Sequence, residues 1–420
     1  MGCLGYSEYT TTGGFGGLSL KISVVAGSAK YHLLGTIREL HNRGVLGTAY
    51  VPLGAKLSNK NPFRRLEVIN RAANRYPELE LVPKVQVISP ELFYQFGLWL
   101  TRKNFQAIGE LLTEFSHRLY SVIVNRRMKN DEADTVIIRC SFGNHIKTPS
   151  KLRVCDLSMA HPLVDISLTA GNGFTLAPYE QLSRIGKLMV EDLSKADRIL
   201  VNSDFIKRTC VLAGIDSSKI TVAYLPPAQE FLDKERNLDI QKCKADEDKT
   251  VLFVGTLSYR KGIDLVLEIA KECMLRKLKY NFVVIGTWSG VSAVFREELT
   301  SQSNVEIIPW VTRDQLTEYY LKADFLLCPT RADGGARVIT ESMLFGNIVL
   351  TTTVSGSPIK SGVNGFEFEL NPDETFVEKV LEVLQNREIT HEVARRAIQT
   401  ASVELSFNHY MSNVLICCKL

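Results

Sequence analysis

The segment from Asp333 to Arg337 brings a carboxylate, two glycines and a cation together in the order Asp-Gly-Gly-Ala-Arg. A short apolar run ends just before it at Pro329, and an amphipathic helical pattern follows it. Backbone amides at the start of a helix, with the helix dipole behind them, attract a diphosphate, and glycines let such amides approach a ligand closely. The segment therefore predicts an anion-binding turn. Its members are Gly334, Gly335, Ala336 and Arg337.

A second carboxylate, Glu341, follows Asp333 by eight residues inside the predicted helix. We expect both carboxylates to face one crevice, one toward the hydroxyls of a sugar and the other toward a ribose. The alternative is that Asp333 caps the helix and that Glu341 is a solvated residue on its surface. An isolated Asp-Gly-Gly segment favours this alternative.

Adjacent cations, Arg260 and Lys261, occupy the loop that follows an apolar run ending at Gly255. A helical pattern begins after Gly262. Cations at the carboxyl end of a strand are well placed to neutralise a leaving diphosphate. The alternative is a pair of ordinary surface cations before a helix, which is the commoner role of such residues.

Short apolar runs alternate with amphipathic helical patterns along the chain, which is typical of parallel α/β sheets. Pro226 and Pro227, followed by the polar stretch 233–249, indicate a linker. We therefore predict an α/β protein with two doubly wound, Rossmann-like domains and a ligand crevice at the carboxyl ends of the strands. The predicted parts are a flexible tail at 1–18, a first domain at 19–228 and a second domain at 229–401. The predicted strands are 21–26, 47–52, 85–88, 135–139, 152–155, 198–202, 250–255, 282–286, 305–309, 325–329 and 348–352.

Composition excludes several classes of protein. Of the 420 residues 45% are hydrophobic and 23% charged, proportions that exclude a disordered, collagenous or disulfide-scaffold chain. The nine cysteines show neither zinc nor disulfide spacing and fit a reducing cytoplasm. We expect no signal peptide and no membrane-spanning segment. The net charge of +4 divides into +8 for residues 1–230 and −4 for the rest, and its total is too small to indicate a nucleic-acid binder.

Several ordered segments resemble those of the retaining glycosyltransferases of the GT-B fold, specifically family 4 (glycosyl transferases group 1). The resemblance covers nearly the whole chain. It rests on the loop 255–262, on Asp333 and Glu341 with seven residues between them, and on the turn and Thr-rich strand that begin at Gly346. In the first half, segment 193–208 is similar to a strand and helix start of that family. The other matching segments are 213–220, 314–324 and 362–365.

The resemblance implies two domains that face each other across a cleft, with residues 402–420 forming a helix that crosses back onto the first domain. It also implies front-face transfer of a hexose from a UDP-, GDP- or ADP-sugar with retention of configuration. Such a transfer requires no protein nucleophile, cofactor or metal ion. The implied catalytic residues are His161, Asp333 and Lys261, and the implied donor-binding residues are Gly27, Thr256, Arg260, Lys261, Gly334, Gly335, Ala336, Arg337 and Glu341.

His161 is the favoured site residue among the seven histidines, because residues 152–162 resemble the strand and loop where the family places a histidine near the transferred sugar. The alternative is a structural, hydrogen-bonding histidine. Asp156, in the same segment, is an acceptor-side candidate. Gly27 and Ser28 fit the loop of the first domain that approaches the donor phosphates and the acceptor.

Departures from the family pattern keep other functions open. Asp333 replaces the usual Glu, Ala336 replaces Gly, and Thr256 stands where an Arg is common. A catalytically degenerate paralogue that binds a nucleotide sugar without transferring it is therefore an alternative. A Rossmann-type oxidoreductase is less favoured, because no Gly-x-Gly-x-x-Gly follows Val25 or Val254.

Two segments of the first half suggest contact with a membrane surface. One is the basic segment 60–65, with Arg71 and Arg75 beyond it, and the other is the aromatic and basic segment 93–103. Aromatic residues beside cations suit a headgroup interface, although buried aromatics with a solvated basic rim are the alternative. We expect a saccharide, glycolipid or lipid-linked acceptor, and a cytoplasmic protein that is peripheral to the inner face of the membrane.

Overall fold

The computed structural model describes residues 20–27, 32–52, 82–87, 89–165, 174–228, 230–232, 249–370, 376–386 and 391–419. The predicted tail, Ser28, the basic segment 60–65 and most of the polar stretch after Pro227 lie outside the described residues.

The first domain contains a large parallel sheet and a short two-stranded one. In chain order, its strands are β1 (Ile22–Val25), β2 (Leu46–Val51), β3 (Lys84–Gln86), β4 (Thr135–Arg139), β5 (Leu152–Leu157), β6 (Val164–Asp165), β7 (Thr175–Leu176), β8 (Arg198–Val201) and β9 (Ile220–Val222). Seven of these form one sheet in the order β3-β2-β1-β4-β5-β8-β9, with every neighbouring pair parallel, whereas β6 and β7 pair antiparallel. All of β1 is buried, as expected for a parallel strand covered by helices on both faces.

The helices of the first domain cover both faces of this sheet. They are α1 (Leu33–Asn42), α2 (Ser89–Arg102), α3 (Gln106–Arg127), α4 (Arg184–Ser194) and α5 (Asp204–Leu212). Val24 of β1 packs in the cluster that contains Leu33 of α1, and Val25 packs in the cluster that contains Tyr120 of α3. Ser203 caps α5, because its hydroxyl accepts a hydrogen bond from the amide of Ile206 at 3.3 Å. The cap fixes the start of α5 at the carboxyl end of β8.

The second domain repeats this architecture. Its strands are β10 (Lys249–Val254), β11 (Tyr280–Ile285), β12 (Val305–Ile308), β13 (Phe325–Cys328), β14 (Ile348–Thr352) and β15 (Phe366–Phe368). They form one parallel sheet in the order β12-β11-β10-β13-β14-β15. Its helices are α6 (Ile263–Leu275), α7 (Ala293–Thr300), α8 (Arg313–Lys322), α9 (Arg337–Leu344), α10 (Phe376–Gln385) and α11 (His391–Gln399), followed by a π-helical turn at Thr400–Glu404. The predicted α/β class with two doubly wound sheets is confirmed.

The last helix, α12 (Phe407–Cys417), crosses back onto the first domain. Its Tyr410 and Val414 pack in the same apolar cluster as Val24 of β1. The hydroxyl of Tyr410 lies 2.8 Å from that of Thr36, and the hydroxyl of Thr135 donates to the carbonyl of Cys418 at 3.0 Å. The helix therefore ties the end of the chain to the first domain. None of the described helices is long and apolar enough to cross a bilayer.

Candidate active site between the domains

A cleft of about 930 Å³ separates the carboxyl ends of the two sheets. The first domain contributes residues that follow its strands, among them Ser158 after β5 and Asn202 after β8. The second domain contributes the loop after β10 and the loop after β13. The expected crevice therefore exists, and most of the predicted donor-binding residues line it. Those residues are Thr256, Lys261, Gly334, Gly335, Ala336 and Arg337, and Asp333, predicted to be catalytic, lines the cleft with them.

The two loops of the second domain are locked to each other. Gly262 has a φ of +76°, and a Cβ at this position would lie 2.0 Å from the carbonyl oxygen of Pro329. Only glycine therefore allows the backbones to cross this closely. Arg331 of the second loop donates to the carbonyl of Tyr259 in the first loop at 2.6 Å. It also donates to both carboxylate oxygens of Asp264, in the first turn of α6, at 2.7 and 2.6 Å. The loops thus act as one rigid wall of the cleft.

Lys261 and Asp333 form a direct ion pair across these two loops. Both side chains are about one-fifth exposed and both line the cleft. The sequence predicted a lysine free to bind a diphosphate and a carboxylate free to bind a sugar, but in the structure each neutralises the other. A ligand that binds to either side chain has to break this ion pair. A diphosphate with an attached sugar has a group for each: phosphate oxygens for Lys261 and sugar hydroxyls for Asp333.

Arg260 is placed differently from the prediction. Its guanidinium donates to the carbonyl of Ala332 at 2.8 Å, and the residue is not among those that line the cleft. It therefore fastens the loop that carries Asp333 and does not extend toward a diphosphate. The sequence could not distinguish these two positions, because Arg260 and Lys261 are adjacent.

The predicted anion-binding turn lies at the start of α9. Arg337 is the first residue of that helix, is exposed and lines the cleft. It forms no ion pair with another described residue. The amide of Ala336 donates to the carbonyl of Ser355 at 3.3 Å and is therefore occupied. The amide of Ile339 in the first turn of α9 donates to the carbonyl of Ala336 at 2.9 Å. The amides of Arg337 and Val338, which precede the intrahelical hydrogen bonds, and the side chain of Arg337 are the groups that an anion would meet there.

Glu341 lies behind the wall of the cleft. It is only 8% exposed, and its Oε2 accepts a hydrogen bond from the hydroxyl of Tyr320 at 3.2 Å. Burial raises the pKa of this carboxyl to about 7, with Arg337 and Arg313 opposing the rise and Glu230 adding to it. The alternative of a solvated surface residue is wrong. Arg337, Arg313 and Glu230 also line the cleft. A charged ligand bound beside them would therefore change the pKa of Glu341.

His32, which the sequence analysis passed over, lines the cleft at the start of α1. Its Nε2 lies 2.9 Å from Oδ1 of Asp156, which is buried in β5. Asp156, predicted as an acceptor-side residue, therefore holds the imidazole of His32 in place. Its other oxygen, Oδ2, has no hydrogen-bond partner among the described residues. A histidine in the first turn after the first strand of a doubly wound domain was the available signal, since that turn reaches the ligand crevice.

His161 lies outside the set of residues that line the cleft. It is buried, its amide donates to the hydroxyl of Thr209 at 3.0 Å, and its Nδ1 accepts from the amide of Leu163 at 3.2 Å. Burial lowers its pKa to about 4. These contacts are compatible with the alternative of a hydrogen-bonding histidine, and a role of His161 near the transferred sugar stays a prediction. Gly27 is likewise absent from the cleft lining. It packs against the ring of Phe142, and a Cβ on it would lie 2.6 Å from that ring.

A second cavity of about 200 Å³ opens between the α2–α3 hairpin and the carboxyl ends of β4 and β5. It shares Ser158 with the cleft, and Asp156 lies in its wall. Arg139 and the buried His117 also line it. Burial lowers the pKa of His117 to about 3, and neither ring nitrogen has a hydrogen-bond partner among the described residues. The cavity therefore offers polar groups to a ligand on the first-domain side. We call it the side cavity.

The two domains touch at the floor of the cleft. A Cβ on Gly334 would lie 2.1 Å from the carbonyl oxygen of Ser158, so that the backbones of the two domains meet there. The hydroxyl of Ser203 donates to the carbonyl of Gly334 at 3.0 Å. Nearby, Arg208 donates to the carbonyl of Thr353 at 3.0 Å. The anion-binding turn is thus held against the first domain.

Comparison with known proteins finds similarity to glycosyltransferases. Residues 235–400 match the family Glycosyl transferases group 1. The chain is 31% identical, over 202 residues, to an uncharacterised 41.2 kDa protein of the cps region of Klebsiella pneumoniae, with 46% of this chain and 53% of that protein covered. The chain spans about half the length, or less, of the curated relatives it matches.

Solved structures share the whole architecture. The lipopolysaccharide outer core galactosyltransferase WaaB superposes with a TM-score of 0.63 at 15% identity, covering 95% of this chain and 99% of that one. Anabaena HepE in complex with UDP and glucose superposes with a TM-score of 0.57 at 15% identity, covering 94% and 98%. Likeness at this level of identity establishes the fold, which is the two-domain GT-B fold.

Proposed function

We propose that the protein is a retaining glycosyltransferase that transfers a hexose from a nucleotide-diphosphate sugar to a saccharide, glycolipid or lipid-linked acceptor. The observation that carries the proposal is the Lys261–Asp333 ion pair, which lies in an interdomain cleft beside the start of α9. A cation, a carboxylate and free helix amides are the groups that a diphosphate and a sugar would need. A protein of the same fold, Anabaena HepE, binds UDP and glucose.

On the donor side, the diphosphate replaces Asp333 as the partner of Lys261 and lies against the backbone amides of Arg337 and Val338 and the side chain of Arg337. The released carboxylate of Asp333 then orients sugar hydroxyls. Glu341 supports the ribose end of the donor from behind the cleft wall. Thr256, which is exposed at the mouth of the cleft, adds a hydroxyl beside the diphosphate. Positive groups therefore concentrate where the leaving group gains charge, which is the electrostatic requirement of the transfer.

On the acceptor side, His32 is the group best placed to hold a hydroxyl. With Nε2–H donating to Asp156, Nδ1 carries the lone pair and accepts a hydrogen bond from the acceptor. In front-face transfer the acceptor oxygen bonds to the anomeric carbon, the bond to the diphosphate oxygen breaks, and the acceptor proton passes to that departing oxygen. The side cavity, which adjoins Asp156, provides room for the rest of the acceptor.

A donor panel tests the proposal. Calorimetry with UDP-, GDP- and ADP-sugars, together with NAD, identifies the nucleotide, and release of free sugar or transfer to an acceptor reports turnover. Lys261→Ala should lose diphosphate binding, whereas Lys271→Ala, which removes a lysine from an exposed ion pair with Glu298, should not. Donor binding without turnover under all conditions favours the catalytically degenerate alternative. Binding of NAD in preference to every nucleotide sugar contradicts the proposal.

A further inference from the structure

The α2–α3 hairpin exposes an unusual amount of apolar surface. Large side chains on both helices and in the turn between them are 38 to 57% exposed. They include Phe93, Phe96, Trp99, Phe105, Ile108 and Phe115. Phe93 packs edge-on against Phe115 across the two helices at a centroid distance of 5.1 Å, and Phe96 stacks on Trp99 at 5.6 Å. The apolar residues of the two helices therefore form one continuous surface, which we call the hairpin face.

Small residues lie where the backbones of the two helices approach each other. A Cβ on Gly97 would lie 2.8 Å from the carbonyl oxygen of Gly109, and a Cβ on Gly109 would lie 2.2 Å from the hydroxyl oxygen of Thr101. Hairpins in water normally bury their large apolar side chains between the helices. Small residues at the contact and large apolar residues outside are the arrangement of helices that pack in a lipid environment.

Cations lie at the tip of the hairpin. Arg102, the last residue of α2, and Lys103, in the turn, are exposed between Trp99 and Phe105. Of the acidic groups on the two helices, Glu114 is neutralised by ion pairs with Arg118 and Arg184, Glu91 is buried and Glu110 is half-buried. A positively charged tip flanked by aromatic side chains is complementary to an anionic headgroup layer.

We propose that the hairpin face docks on an anionic lipid bilayer, with its aromatic side chains among the headgroups and acyl ends and with Arg102 and Lys103 on lipid phosphates. The docking is peripheral and independent of the donor site. The side cavity lies beneath the same hairpin, lined by Tyr94 and His117. Docking therefore brings the proposed acceptor site to the membrane surface.

Vesicle binding tests this proposal. Cosedimentation with vesicles of phosphatidylcholine and phosphatidylglycerol, and with phosphatidylcholine alone, measures partitioning, and brominated lipids measure the depth of tryptophan residues by quenching. The wild type should bind the anionic vesicles, more weakly as salt rises. Phe96→Ser with Trp99→Ser should reduce binding at least about tenfold. Arg102→Ser with Lys103→Ser should remove the salt-dependent part. Trp310→Ser, at a 72% exposed position in the second domain, is the matched control and should bind like the wild type.

The outcomes distinguish membrane docking from self-association of the chain. Absence of binding to anionic vesicles at low salt, or equal losses in the Trp310 control, overturns the proposal. Loss of self-association in the hairpin variants with vesicle binding intact assigns the hairpin face to a second copy of the chain and also overturns it. Thermal unfolding checks that the variants fold, and Phe105→Ser with Ile108→Ser is the second test of the same face. Donor hydrolysis is measured without vesicles, so failure of docking is distinguished from failure of the proposed transfer.

Discussion

Nε2 of His32 lies 2.9 Å from Oδ1 of Asp156, and this pair joins the two cavities of the protein. His32 lines the interdomain cleft, and Asp156 lines the side cavity. The histidine comes from the start of α1 and the aspartate from β5, so their contact depends on the order β1-β4-β5 within the sheet. A carboxylate behind an imidazole fixes both its orientation and its tautomer.

His32→Gln is expected to reduce donor turnover by about 100-fold or more, because the acceptor hydroxyl loses the group that positions it beside the anomeric carbon. The affinity for the nucleotide diphosphate should stay within about twofold of the wild type, since the donor phosphates are assigned to the second domain. Steady-state turnover and calorimetry measure the two quantities.

His161→Gln is the matched control for this prediction. Because His161 is bonded to Leu163 and Thr209 away from the cleft lining, the variant should turn over near the wild-type rate. A large loss in His161→Gln together with normal turnover in His32→Gln would assign the site histidine to position 161, as the sequence resemblance implied.

Asp333→Asn is expected to change binding and turnover in opposite directions. Removing the carboxylate releases Lys261 from its ion pair, so UDP alone should bind roughly 2- to 5-fold more tightly, since a partly exposed pair contributes up to about 1 kcal/mol. Turnover of the UDP-sugar should fall about 100-fold, because the group that orients the sugar is lost. Calorimetry with UDP and steady-state assays give the two values.

Asp264→Asn provides the comparison for the ion-pair argument. It breaks the pair between Arg331 of the second loop and the first turn of α6, and Arg331 does not line the cleft. Its affinity for UDP should therefore not rise. Weaker UDP binding in Asp333→Asn would mean that Lys261 needs the aspartate in order to be positioned, and the proposed exchange of Lys261 between Asp333 and the diphosphate would be wrong.

Features that depend on residues close together in the chain could be predicted from the sequence. The two parallel sheets, the turn from Asp333 to Arg337 and the loop with Lys261 all follow from apolar runs that end at glycines, cations and carboxylates. Contacts between distant segments could not be predicted in this way. His32 and Asp156 are separated by 124 positions, and Lys261 and Asp333 by 72, so each partner was visible in the sequence without the other.

The predictions that the structure revised have the same origin. Arg260 and Lys261 are neighbours in a one-turn 3₁₀ segment, and only the position of the second loop decides which of them lines the cleft. Glu341 stands on the expected helix, but its burial depends on Tyr320 from α8. Local pattern fixes the element on which a residue lies, whereas its exposure is set by elements that pack against it from elsewhere in the chain.

Gly334→Ala tests whether the contact between the domains matters for function. The added methyl group would lie 2.1 Å from the carbonyl oxygen of Ser158, so the domains must separate to admit it. We expect a loss of stability on the order of 2 kcal/mol, a larger radius of gyration by solution scattering and a fall in donor turnover. Gly35→Ala is the control, because its methyl group would meet the ring of Phe407 at an ordinary 3.7 Å. An unchanged scattering profile in Gly334→Ala would show that this contact does not set the domain arrangement.

Glu341→Gln is expected to change the pH dependence of stability. Burial raises the pKa of Glu341 from its usual 4.5 to about 7 in the folded protein. Between these values the folded state holds a proton that the unfolded state has lost, so the free energy of unfolding of the wild type falls as pH rises through this window. Glutamine does not titrate. The variant should therefore gain stability relative to the wild type from pH 5 to pH 8, by an amount on the order of 3 kcal/mol.

Urea unfolding at pH 5 and pH 8 measures this difference for Glu341→Gln and for Glu318→Gln, an exposed glutamate on α8 that serves as the control. The control should follow the wild type at both pH values.

Arg337 and Arg313 lower the pKa of Glu341 and also line the cleft. A bound diphosphate that pairs with these cations should therefore raise the pKa of Glu341 further. UDP binding near pH 7 should then take up protons in the wild type and not in Glu341→Gln, which calorimetry in buffers of different ionisation enthalpy detects. Equal proton uptake by both proteins would show that the protonation of Glu341 is not coupled to binding at the donor site.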